Sequence, residues 1–90
     1  MAVYKKDPDA VLDYTADWGP YLTPLGDTII SATWVLSSGL TKVSQSATAT
    51  KATAFVSGGV LGETETLTCR IVTAGGRTDD RTFLIKIVSR

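Results

Sequence analysis

Thr64-Glu65-Thr66-Leu67-Thr68-Cys69-Arg70-Ile71-Val72-Thr73, followed seven residues later by Arg81-Thr82-Phe83-Leu84-Ile85-Lys86-Ile87-Val88, decides the fold class of this 90-residue chain. Leu67, Cys69 and Ile71 fall on one side of the first run, with Thr66, Thr68 and Arg70 on the other. Phe83, Ile85 and Ile87 oppose Thr82 and Lys86 in the second. A period of two marks a strand with one dry face and one wet face. The intervening Ala74-Gly75-Gly76-Arg77-Thr78-Asp79-Asp80 brings glycines for positive φ and charges that stay in water, so the pair reads as a β-hairpin.

The same alternation extends upstream. In Val11–Trp18, Leu12, Tyr14, Ala16 and Trp18 point one way while Asp13, Thr15 and Asp17 point the other, between the turn chemistry of Asp7-Pro8-Asp9 and Gly19-Pro20. Thr28–Leu36 is apolar on both sides; the side carrying Ile30, Ala32, Trp34 and Leu36 is the expected core face, leaving Ile29 and Val35 outside. Weaker strands are expected over Leu40–Ser46 and Thr50–Ser57, and Gly58-Gly59 and Gly62 punctuate the loop into the hairpin. Fourteen threonines with many valines and isoleucines favour pleated strands. No helical period is sustained, so helix is expected only as a turn around Asp9–Leu12. The expected fold is all-β, an Ig-like antiparallel β-sandwich of six to seven strands, in one domain over residues 1–90 with residues 1–9 available as an N-terminal arm. Its core is Leu12, Tyr14, Trp18, Trp34, Leu67, Cys69, Ile71, Phe83, Ile85 and Ile87.

Composition narrows function. Nine Lys+Arg balance nine Asp+Glu, which gives no basic field for nucleic acid or an anionic membrane and little repulsion between copies. There is no histidine, the commonest general base and imidazole ligand. Met1 leads into Ala-Val-Tyr-Lys-Lys-Asp without a signal-peptide pattern, and no apolar run approaches the ~18 residues of a membrane span. The expected site of synthesis is the cytoplasm, where the protein is kept or from which it is released by lysis rather than by export.

Chemistry-bearing residues are sparse. Cys69 lies mid-strand among inward apolar neighbours, the setting of an inert buried thiol. Asp13, Asp17, Glu63 and Glu65 are read as solvated surface charge rather than an acid–base pair. Asp7-Pro8-Asp9 and Asp79-Asp80 are the only dense acidic spots, and they would serve calcium only if the two met in space. Gly58-Gly59-Val60-Leu61-Gly62 lacks the lysine and hydroxyl of a phosphate loop and reads as a turn. No catalytic residue, metal ligand or cofactor is expected. Trp18 is in register with its strand, hence core. Tyr21, Leu22 and Leu25, in the apolar loop that follows, suit either a lid on the sandwich or a sticky patch for a partner. Arg77 and Asp79 at the hairpin tip complete the expected contacts.

Several motifs resemble a known family. Lys6-Asp7-Pro8-Asp9-Ala10-Val11-Leu12-Asp13-Tyr14 with Asp17-Trp18 resembles the opening of small tailed-bacteriophage Ig-like structural proteins of the fibre–tail adaptor type. Gly26-Asp27-Thr28-Ile29, Thr33-Trp34, Gly39-Leu40-Thr41, Ser57-Gly58-Gly59 with Gly62, and Thr73-Ala74-Gly75-Gly76-Arg77-Thr78-Asp79 continue the pattern in order. The later half is also similar to bacterial Ig-like and PKD-type sandwiches. The resemblance implies a non-enzymatic virion structural protein that connects tail or neck components to fibres. It would bind other virion proteins, with copies of itself as a further option, and neither nucleic acid nor membrane. A capsid decoration protein and a carbohydrate-binding module for the host surface are the alternatives. Where the family often carries an aromatic soon after the glycine matching Gly62, Glu65 stands here, which implies a missing corner contact and a looser end.

Overall fold

The hairpin is the spine of the molecule. The computed structural model describes residues 2–89. Among these, seven strands run in chain order: β1 (Ala2–Lys6), β2 (Leu12–Asp17), β3 (Ile29–Leu36), β4 (Leu40–Ala47), β5 (Lys51–Gly58), β6 (Thr64–Thr73) and β7 (Thr78–Ile87). One helical turn, α1 (Gly19–Leu22), and a 3-10 turn over Thr23–Leu25 lie between β2 and β3. One sheet has the order β1-β7-β6-β3 and the other β2-β5-β4. That is the immunoglobulin constant-type arrangement with the first strand moved to the opposite sheet.

The strand β7 starts three residues earlier than the alternation suggests. Thr78, Asp79 and Asp80 pair with Val72, Ile71 and Arg70, and the Thr73 N–H donates to the Arg77 carbonyl at 2.8 Å, so the turn shrinks to Ala74–Arg77. Cross-strand pairs then support the wet face. The Thr68 and Thr82 hydroxyls are 3.0 Å apart, and Arg70 grips Asp80 through two bonds of 2.8 and 2.9 Å.

Both inner faces supply the core. Tyr14, Trp18, Trp34, Leu67, Cys69, Ile71, Phe83, Ile85 and Ile87 are buried, and Leu12 packs against them half-buried. Sheet β2-β5-β4 contributes the small Ala16, Ala52 and Ala54, which leave the volume that two indoles fill. Trp34 stacks on Phe83 at 6.3 Å between centroids, and Tyr4 of β1 closes the side of the sandwich over Tyr14 and Phe83.

Four further features differ from the sequence reading. β1 pairs with β7 in parallel, so the sandwich is not wholly antiparallel, and residues 2–6 of the expected arm are an edge strand of the sheet. Lys6 fastens it. The Lys6 ammonium is fully buried and donates to the Gly58 and Asp7 carbonyls at 2.6 and 2.9 Å. Burial pushes its pKa down, opposed by the nearby Asp7 and Asp9 charges.

On β3 the expected core face is wrong at its start. The register shifts between Ile29 and Ser31, and such a bulge puts two residues against one. Ile29 therefore packs on the core while Ile30 is exposed. Helix forms at Gly19–Leu25 instead of Asp9–Leu12, where Ala10 closes only a turn onto the Asp7 carbonyl.

The corner at Glu65 is filled. Glu65 is buried and accepts the Ser37 hydroxyl at 2.8 Å, and the Ser37 oxygen in turn accepts the Thr66 N–H at 3.0 Å. Any side chain at Gly39 would collide with that carboxylate. A polar contact thus stands where the missing aromatic had implied looseness.

Candidate partner interface

The loops at one end of the sandwich are built around Trp18. Its main-chain N–H donates to the Thr50 carbonyl at 2.8 Å, and its main-chain carbonyl accepts the Tyr21 and Leu22 N–H groups at 3.1 and 2.8 Å. The chain can turn helical here because Pro20 sits in the first turn, where a helix has no use for the missing N–H. The Asp17 carboxylate takes the Gly19 N–H at 2.9 Å. The 3-10 turn ends at Gly26 with φ of 64°, a left-handed position suited to glycine. The Arg81 guanidinium lies 4.3 Å above the Trp18 ring and donates to the Asp17 carbonyl at 2.8 Å, closing the end from the β7 side.

This geometry separates the five expected contact residues. Leu22 is fully buried, so it is a core residue and not a contact: the helical turn rotates it into the core cluster. Tyr21 and Leu25 stay outside, 39% and 48% exposed, with the Tyr21 ring 6.2 Å from that of Trp18. Arg77 spends part of its side chain on Asp27, at 2.7 Å. Asp79 is exposed near the hairpin tip, with its carboxylate accepting the Asp80 N–H.

Asp27 is the residue organising this end that sequence reasoning missed. It is buried, and its carboxylate accepts the Thr28 and Gly75 N–H groups, each at 2.9 Å, as well as the Arg77 guanidinium. The Thr73 hydroxyl is the largest influence holding its pKa far below the usual carboxylate range, followed by Gly75 and Arg77, against an opposing push from burial. A side chain at Gly75 would run into this carboxylate and Arg77. The Ala74 N–H also donates to the Thr28 carbonyl, and the Ile29 N–H to that of Ala49. Three loops that are remote in sequence are thereby tied into one rigid end. The only hint in the sequence is the pairing of Gly26-Asp27-Thr28 with Gly75-Gly76-Arg77, 50 residues on, which no local rule connects.

The remaining candidates lie apart. Asp7–Asp9 follows the end of β1 beside Ile87, whereas Asp79-Asp80 starts β7. Seven residues at ~3.3 Å each separate these levels by about 23 Å, so the two acidic spots do not meet. Among the described residues no group of three or more His, Cys, Asp or Glu could hold a metal. Cys69 is buried beside the Trp18 indole, and burial is the main cause pushing its thiol pKa up. No helix of the described residues is long and apolar enough to cross a membrane.

The backbone at this end is therefore fixed by the protein's own hydrogen bonds. A family model described as podophage GP4 fiber-tail adaptor protein gp77 matches residues 6–86. The chain belongs to this adaptor family. No curated protein matches it. The match begins at Lys6, the buried clamp of β1, and takes in Trp18, the Asp27 lock and all but the last residue of β7. The adaptor is a structural protein of the phage particle that connects tail to fibres, and it binds other virion proteins.

Proposed function

We propose that the adaptor docks a neighbouring tail, neck or fibre component through its Trp18–Leu25 end, without catalysis. Tyr21 and Leu25 are the apolar anchors, with Arg77 and Asp79 as flanking charges. What supports this reading is the exposure of two apolar side chains on a segment whose backbone is already fixed by Trp18 and Asp27. Such pre-ordering removes much of the entropy that a loop loses on binding. Aromatic anchors are also the residues that most often dominate interface energy. The chain is made in the bacterial host cytoplasm and ends in the virion, where repeated weak contacts sum through avidity.

The other exposed aromatics do not favour sugar binding. Tyr4 packs on Tyr14 and Phe83, and Phe55 lies on the outer side of β5, so neither shares a platform with Tyr21.

The test is complementation of phage lacking the chain with Tyr21→Ser/Leu25→Ser, followed by peptide mass spectrometry of purified particles. Losing two anchors costs about tenfold or more in affinity, so the folded variant should fall by that factor in the particle. Incorporation at the wild-type level would overturn the reading.

A further inference from the structure

The loop end accounts for two of the exposed apolar side chains and leaves Val43 and Phe55 unexplained. These lie on or beside β4, an edge strand of its sheet that is exposed at every position after Leu40. The direction of the β4 backbone follows from the bonds at its two ends. The Thr48 N–H donates to the Lys51 carbonyl, and the Gly59 N–H donates to that of Gly39. With the register Ser46 to Thr53, Ser44 to Phe55 and Thr41 to Ser57, those residues turn their main-chain groups toward β5. Lys42, Gln45 and Ala47 consequently present N–H and C=O to the open edge, and Leu40 presents its C=O, its N–H being held by the Ser37 carbonyl at 3.0 Å. Among the described residues these open groups pair with no other element.

The spacing of these four residues is palindromic. The bulge between Lys42 and Ser44 adds one residue at the middle of the strand. Leu40 and Ala47, and likewise Lys42 and Gln45, are therefore equidistant from the midpoint between Val43 and Ser44. We propose that β4 pairs antiparallel with β4 of a second copy of this chain about that midpoint, giving a continuous six-stranded sheet across a two-fold axis. In this register the open groups of Lys42 and Gln45 meet each other and the Ala47 N–H meets the Leu40 carbonyl, the same on both sides of the axis, as a self-complementary two-fold contact requires. A shift by one residue would set open groups against groups already used by β5.

Side chains and charge fit the same occupant. The one charge on β4, Lys42, already donates to Gln45 of its own strand at 2.7 Å, and in the pair it faces Gln45 of the other copy. No like charges oppose each other, and the chain carries no net charge. Val43, 57% exposed, and Phe55, 43% exposed, become one apolar strip crossing the axis.

The other edges suit self-pairing less well. β2 carries Asp13 and Asp17, and β1 is five residues long with two lysines. The edge of β3 has its Ala32 carbonyl taken by the Gln45 amide. A bulge on an edge strand normally spoils pairing, but here both copies place it on the axis. One strand pair buries less than the roughly 1,200 Å² of a standard interface, so the dimer is weak, with a Kd between roughly 10 µM and 1 mM.

This inference does not rest on the loop-end contacts. Its test is sedimentation equilibrium of the purified full chain up to about 1 mM, with hydrogen exchange at the Gln45 and Ala47 amides. Val43→Asp puts carboxylates together at the axis, while Ala47→Pro removes one open donor without touching the β4–β5 ladder. Val3→Asp, at an exposed valine on β1, is the control. The expected result is a dimer that each β4 variant weakens at least about tenfold and the control leaves alone, with concentration-dependent protection of both amides. A monomer at every concentration, or a dimer indifferent to Val43→Asp and Ala47→Pro, would overturn the proposal. Either result would leave the edge to a strand of another virion protein.

Discussion

Trp18→Ala is the perturbation that reaches furthest into this molecule, because core and contact end meet at that indole. The side chain is 2% exposed, so truncation empties a volume that the surrounding sheet strands cannot close over. Removing a buried Trp costs about 3–5 kcal/mol. A domain of this size has roughly 5–13 kcal/mol of stability in all, at 0.05–0.15 per residue. The variant should therefore fold marginally, with a melting temperature lowered by roughly 12–40 °C at about 4–8 °C per kcal/mol. Arg81→Ala isolates one share of this. It removes the guanidinium above the ring and the bond to the Asp17 carbonyl, together worth about 1–2 kcal/mol. Because both changes abolish the same ring contact, the double variant should lose less than the sum of the singles. Urea unfolding at 25 °C, followed by circular dichroism, measures all three. A loss below about 1 kcal/mol for Trp18→Ala, or strict additivity with Arg81→Ala, would refute the reasoning.

Asp27 should dominate the acid response. Its pKa is depressed in the folded state, so its stabilisation is fully present above the ordinary carboxylate value and is lost as pH falls from about 4 toward the lowered folded value. Melting temperature against pH should show that acid loss in the wild type and a flatter curve in Asp27→Asn. Gly59→Ala forces a side chain into positive φ of 113° and against Ile87, costing about 2–4 kcal/mol. Gly62→Ala, at φ of 88° in open space, should cost only about 1–2 kcal/mol, and paired urea titrations separate the two. Cys69, buried and with its thiol pKa raised, should resist a thiol reagent at pH 8 in the native protein and react at once in denaturant.

Much of the fold was readable because period-two patterning acts over a few neighbours. The inward Leu67, Cys69 and Ile71, and the inward Phe83, Ile85 and Ile87, needed no tertiary information. Where one extra residue enters, that logic fails without a local signal. The bulge after Ile29 turns Ile30 outward although both isoleucines look alike in sequence. A four-residue helical turn is too short to show a period, and Pro20 and Pro24 were its only marks. Leu22 faces inward because of how that turn packs on Trp18, and that is why its side chain could not be assigned from composition. The Asp27–Arg77 bond and the Lys6 clamp join residues 50 and 52 apart. Such contacts are products of topology, and so the candidate site was legible in its apolar anchors and not in the lock that orders them.

Electron microscopy of intact particles at the tail–fibre junction tests the adaptor account most directly. The expected map holds the sandwich at that junction with Tyr21 and Leu25 buried against a neighbouring protein. A junction without this chain, or one in which the Trp18–Leu25 end faces solvent while other surfaces make the contacts, would contradict it.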